Sequence, residues 1–194
     1  MDKYKTITDT VGEGFYSEKR SKFYAFAHHV ETLSQIKEII SKYKREYYDA
    51  RHVCYSYVLG SDKSVFKMND DGEPSSTAGK PIYGQIVSRD LSDILVVVVR
   101  SYGGVNLGTG GLIVAYRTAA ADALDHCVVV DKFINEVITF SFPYIMMNGV
   151  MRVIKEMDPQ IVSQDFDNTC TITLSIRRSK ADELRNKLNA LSFL

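Results

Sequence analysis

ILVVVVRSYGGVNLGTGG, residues 94–111, is the stretch on which the fold turns. Its first six residues, Ile94 to Val99, are aliphatic without alternation, the pattern of a central strand covered on both faces. Five glycines then fall in the nine positions from Gly103 to Gly111, and eight of the fifteen residues from Leu112 to His126 are Ala, Leu or Ile, a composition of high helix propensity. The unit therefore reads as strand, glycine loop, helix. Free backbone N–H groups and the helix dipole at such a junction suit an anion, with phosphate the obvious guest. Glycine equally serves tight turns and close packing, and spacing alone leaves both readings open. The loop lacks the Lys-Ser/Thr pair of a P-loop, and Gly108-Thr109-Gly110-Gly111 misses the dinucleotide spacing, which argues against NTP hydrolysis and NAD binding.

Upstream, Lys22 to Val30 alternates as a strand. Leu33, Ile36, Ile39, Ile40 and Tyr43 recur at three- and four-residue spacing, marking an amphipathic helix over Thr32 to Tyr47. His52 to Leu59 and Ser64 to Met68 form a hairpin about Gly60-Ser61-Asp62, and a short helix is expected from Pro81 to Val87. Downstream, Val128 to Phe140 reads as one long strand and Pro143 opens a helix to Met157. Ile161 to Phe166 and Thr169 to Ile176 flank an Asp167-Asn168 turn, and Lys180 to Ala190 is a last helix. That β-α-β-β-α order is the ferredoxin-like pattern short of its final strand. The expectation is an α+β protein of two closely packed domains, 1–128 and 129–194.

The 194 residues carry 24 basic and 24 acidic side chains, balanced 16 against 16 up to Cys127 and 8 against 8 after it. Neither half supplies a global field for nucleic acid or an anionic membrane, so any such binding is local. Residues 1–10 have no signal-peptide core and the longest aliphatic run is far short of a membrane span. Three widely spaced cysteines, Cys54, Cys127 and Cys170, fit neither a disulfide framework nor a metal knuckle. A soluble cytoplasmic protein with no membrane partner is expected, and no motif sets its oligomeric state.

Several side chains are candidates for chemistry. Asn69 to Pro74 (NDDGEP) places Asp70, Asp71 and Glu73 within four residues, a cluster that could hold a hard cation such as Mg²⁺ or be a solvated turn. Ser75, Ser76 and Thr77 are positioned to cap the following helix, with Lys80 on its first turn. His52 and Cys54 share a strand face, which suits either a thiol nucleophile or a half-buried histidine beside a core cysteine. His28 and His29 point to opposite faces and cannot jointly ligate a metal. Arg100 ends the buried strand, where its guanidinium could clamp a phosphate or pair with the Asp70 to Glu73 turn. Arg117 lies two turns along the helix.

Together, Asp70-Asp71-Gly72-Glu73-Pro74, Thr77-Ala78-Gly79-Lys80-Pro81, Val98 to Gly104, Leu107 to Leu112 and Ala115-Tyr116 resemble the signature of the IMPACT family in its bacterial, YigZ-like branch. The resemblance covers Phe15 to Leu124 closely and the remainder more weakly. It implies an N-terminal domain similar to the second domain of ribosomal protein S5 and a C-terminal domain similar to ferredoxin-like domains of elongation factors. It also implies a translation-related, non-enzymatic regulator whose partner is RNA, the ribosome or a translation-associated protein. Eukaryotic members restrain a starvation-responsive kinase, which adds stress response to the expectation. The residues expected to hold the anionic partner are Thr77, Lys80, Arg100, Tyr102, Gly103, Gly104, Gly108, Gly110, Gly111 and Arg117, with no cofactor. The alternative is a metal-assisted phosphoester hydrolase or phosphotransferase using Asp70, Asp71 and Glu73. Two positions depart from the family pattern: Val114 stands where a basic residue is usual, and Ser101 where a tyrosine is.

Overall fold

In the computed structural model, which describes residues 2–191, the order of elements follows the hydrophobic patterning closely. The chain divides into two compact units, Tyr4–Lys132 and Met1–Lys3 with Phe133–Leu194.

The first unit is built on a five-stranded antiparallel sheet of order β2-β3-β6-β4-β5. Its strands are β2 (Gly12–Glu18), β3 (Ser21–His29), β4 (His52–Leu59), β5 (Val65–Asn69) and β6 (Ile94–Ser101). Every residue from Ile94 to Val99 is fully buried, because the centre of the sheet is covered on both sides, as the aliphatic run predicts. On one side Ile94, Val96 and Val98 meet α2 (Gly79–Ser88) and α3 (Gly108–Asp125) through Ile82, Ile86, Ala115, Tyr116 and Ala119. On the other, Leu95, Val97 and Val99 meet α1 (Leu33–Glu46) through Ile36 and Tyr43. Each such side chain taken from water contributes about 1.5–3 kcal/mol. Thr32 caps α1, and with Gln35 it completes a capping box.

Strand β2, which carries no strong hydrophobic pattern, forms one edge of the sheet and lies against α3. A Cβ at Gly12 would stand 2.4 Å from the Ala123 carbonyl oxygen, and one at Gly14 2.6 Å from that of Ala119. Glycine on the strand and alanine on the helix let the two backbones approach. A separate two-stranded sheet pairs β1 (Lys3–Ile7) with β7 (Val129–Phe133).

The second unit has a three-stranded antiparallel sheet of order β8-β10-β9, from β8 (Asn135–Phe142), β9 (Gln160–Phe166) and β10 (Cys170–Arg177). Helices α4 (Met147–Met157) and α5 (Arg178–Leu191) cover one face of this sheet over Ile138, Phe142, Ile172 and Leu174. This is the split β-α-β arrangement of the ferredoxin-like pattern without its last strand. Two local expectations need correction. The single strand from Val128 to Phe140 is broken at Ile134, whose N–H donates to the Asp2 carbonyl and whose carbonyl accepts from Arg178; β7 and β8 therefore enter different sheets. Pro143 does not begin the helix directly: it is extended (φ −71°, ψ 150°) and leads through a 3-10 turn, Tyr144–Met146, into α4. Among the described residues no helix is long and apolar enough to cross a membrane.

Candidate functional site

The turn between β5 and α2 holds the acidic cluster, and its three carboxylates point to three different places. Asp70 accepts from the N–H of Ser76 (2.9 Å), Ala78 (3.1 Å) and Gly79 (2.8 Å). It thus caps α2 from eight to nine residues upstream. The expected caps Ser75, Ser76 and Thr77 do not serve, and the Thr77 hydroxyl donates to the Pro74 carbonyl instead. Asp71 accepts the Val53 N–H at 2.7 Å and lies 3.6 Å from Lys44. Its left-handed backbone, followed by Gly72 at φ +86°, presents its carbonyl to His52 Nδ1 at 2.8 Å, so the ring carries its proton there.

Glu73 turns inward. Its Oε1 accepts from Arg100 Nη1 at 2.7 Å and from the Tyr116 hydroxyl at 2.7 Å, with His52 Nε2 at 3.9 Å. Glu73 and Arg100 are 7% and 5% exposed, so this is a buried ion pair whose value lies in its geometry and hydrogen bonds. Arg100 Nη2 contacts Ser21 Oγ at 3.5 Å, and Arg100 Nε has no hydrogen-bond partner. Cys54 sits beneath the network and donates to the Asp70 carbonyl at 3.0 Å. Burial pushes the Cys54 thiol and the Tyr116 hydroxyl well above their ordinary pKa ranges. Cys54 is a core cysteine, fully buried and hydrogen-bonded.

This geometry lends no support to the metal reading of Asp70, Asp71 and Glu73. Each carboxylate is committed to backbone amides or to a buried cation, and among the described residues no three His, Cys, Asp or Glu side chains converge to hold a metal ion.

Opposite this turn lies the glycine segment, and the two face each other across a groove of about 390 Å³. Arg51, His52, Glu73, Pro74, Arg100 and Tyr102 line one part of it, and Asn106 to Thr109 with Leu112 the other. The Arg51 guanidinium lies 5.5 Å from the centre of the Tyr102 ring and that of Arg100 5.2 Å from it, both cation–π distances. Helix α3 begins at the groove with no side-chain cap on its first turn, so its leading N–H groups are open to a ligand.

Of the expected anion-binding residues, Arg100, Tyr102 and Gly108 line the groove. Thr77, Lys80, Gly103, Gly104, Gly110, Gly111 and Arg117 do not. Thr77 is buried under its own turn, and Lys80 and Arg117 project to solvent elsewhere. Gly103 is architectural, since a Cβ there would stand 2.2 Å from the Arg20 backbone, while its N–H donates to Ser21 Oγ at 3.2 Å. Gly104 and Gly108 hold positive φ, +87° and +72°. Val114 is exposed and away from the groove, so the missing cation there takes nothing from it. Arg51, and the non-glycine members Asn106 and Thr109 of the glycine segment, join Arg100, Tyr102 and Gly108 at the groove. The antiparallel register that sets His52 opposite Arg100 brings Arg51 to the groove, and no local pattern announces it.

This architecture defines an α+β protein of two units, the first of which carries a cationic groove between two of its own loops. Residues 19–124 match the Impact N-terminal domain family. The chain is 34% identical over 156 residues to the IMPACT family member YvyE of Bacillus subtilis (strain 168), covering 80% of this chain and 71% of that one. It is 31% identical over 172 residues to YigZ of Escherichia coli (strain K12), covering 88% and 84%. The chain belongs to the IMPACT family. A solved structure described as that of a hypothetical protein superposes with a TM-score of 0.80 at 29% identity, covering 99% of this chain and 94% of that one.

Proposed function

We propose that the protein is a non-enzymatic binding module of the translation apparatus that grips an anionic partner, RNA in the first instance, in the groove between the two loops. The observation that carries this reading is the meeting of Arg51, Arg100, Tyr102 and the uncapped start of α3 around one cleft. The helix N-terminus and the Arg51 guanidinium supply donors for a phosphate. Arg100, held by Glu73, places its charge without leaving the protein interior. Tyr102, 39% exposed, adds an aromatic group of the kind single-stranded RNA uses. Family membership directs the choice of partner towards translation, and the neutral chain points to modest affinity.

Titration of fluorescent single-stranded and structured RNA at low salt tests this reading. Binding that weakens steeply with salt and falls about tenfold in Arg51→Ala, whose folding is unchanged, is the expected result; about 1.4 kcal/mol corresponds to that factor. No binding, or binding indifferent to Arg51, defeats it. Capture of a translation factor by the chain in the absence of RNA binding would assign the groove to a protein surface.

A further inference from the structure

The two edges of the five-stranded sheet are treated differently. At the β2 edge, α3 lies against the strand through Gly12 and Gly14, and the Phe15 N–H donates to the Asp122 carboxylate at 2.8 Å. The β5 edge is approached by α2 at its end, where a Cβ on Gly79 would stand 2.6 Å from the Asn69 nitrogen, but among the described residues no side chain accepts from a β5 N–H. Val65 to Asn69 pairs with β4 in unbroken register without bulge or proline, and no further strand pairs with it among the described residues. Val65, Phe66 and Met68 are 43%, 51% and 41% exposed. A regular apolar edge of this kind is a template for another strand.

Its two faces differ in chemistry. Phe66 and Met68 lie opposite Val58 and Ser56 on the α2 side, where Phe66 stacks on Tyr83 at 5.5 Å. Lys67 lies opposite Tyr57 on the α1 side, beside a second groove of about 470 Å³ lined by Lys37, Lys67, Tyr55, Tyr57 and Leu33. The Tyr55 and Tyr57 rings are nearly parallel, 6.4 Å apart. Both lysines are exposed, and among the described residues neither pairs with a carboxylate.

We infer that β5 is a docking edge for an extended acidic peptide segment of a partner protein, added as a sixth strand with apolar side chains over Phe66 and Met68 and carboxylates beside Lys37 and Lys67. Because successive side chains of a strand alternate between faces, the occupant has period two, acidic and aliphatic in turn. Backbone pairing supplies the affinity and the two faces supply the register. An RNA strand would use the lysines and tyrosines but leave the backbone edge and the apolar side unused.

The test is fluorescence anisotropy with a labelled peptide of alternating isoleucine and glutamate, about seven residues long to overlap the five of β5. A control has the same residues in two blocks. We expect saturable binding of the alternating peptide, at least tenfold weaker for the blocked one, and slowed amide exchange at Val65 to Asn69. Lys37→Glu with Lys67→Glu should weaken it at least tenfold and raise affinity for an isoleucine–lysine peptide, while Arg51→Ala leaves it unchanged. Circular dichroism confirms that the doubly substituted chain is folded. Indifference to charge reversal, equal binding of the two peptides, or unchanged exchange overturns the inference. So does displacement by oligouridylate, which assigns the surface to RNA, or a concentration-dependent dimer abolished by Lys67→Glu, which assigns it to a second copy.

Discussion

The acidic turn from Asn69 to Gly79 and the glycine segment from Tyr102 to Gly111 border the same groove, yet they use their polar groups in opposite ways. The turn directs its carboxylates inward: Asp70 binds three amides, Asp71 one amide, and Glu73 a buried arginine and a tyrosine. The glycine segment keeps few internal bonds, chiefly Gly103 N–H to Ser21 and the Tyr102 hydroxyl to Asn106, and leaves the start of α3 uncapped. A run of charge is thus the scaffold, and a run of glycine borders the groove with an uncapped helix start. Charge concentrated in sequence does not mark a binding site when the backbone nearby has amides to satisfy.

Removing Glu73 should have the largest effect on this contrast. Glu73→Ala leaves Arg100 buried without a counter-charge and Tyr116 without an acceptor, and we expect a loss of about 3–5 kcal/mol in urea denaturation. A loss under about 1 kcal/mol would mean that the turn is not structural. Asp70→Ala should cost about 1–3 kcal/mol by exposing the start of α2 to three unmet amides. Hydrogen exchange at Ser76, Ala78 and Gly79 should rise with it, and unchanged exchange would move the cap elsewhere.

The glycine segment itself divides. Gly103→Ala is expected to cost about 1–3 kcal/mol because the added methyl meets the Arg20 backbone. Gly110→Ala, with nothing within 4 Å of its Cβ, should leave stability equal or raise it by up to about 1 kcal/mol. Thermal midpoints of the two variants decide the matter, and equal losses would erase the distinction. The smallest effect expected is none: Mg²⁺ at about 10 mM should leave the midpoint unmoved, because the turn has no vacant carboxylates to bind it. A rise that vanishes in Asp71→Ala would restore the metal reading.

The aliphatic run Ile94 to Val99, the helix that follows the glycines and the β4–β5 hairpin were legible because each depends on local periodicity. Strand β2 was not. Gly12 and Gly14 lower its strand propensity, and their purpose appears only against Ala119 and Ala123, more than a hundred residues on. The candidate site was legible in part. The blocks NDDGEP and YGGVNLGTGG pointed to it, and Arg100, Tyr102 and Gly108 line the groove. Lys80 and Arg117 have the charge and the sequence proximity for the site, but helix geometry turns both away from the groove.

By itself the sequence determined the class of fold, the division into two units, the buried central strand and the family, since hydrophobic period and motif order survive without coordinates. Only the tertiary structure decided what each polar residue does. Whether Asp70 caps a helix, Glu73 neutralises Arg100 or Arg51 reaches the groove depends on strand register and on which amides need a partner. The Glu73–Arg100 pair and the placement of Arg51 join distant parts of the chain, so no short window contains both halves; Asp70 and its amides lie within ten residues, and there the folded path of the turn selects the partner.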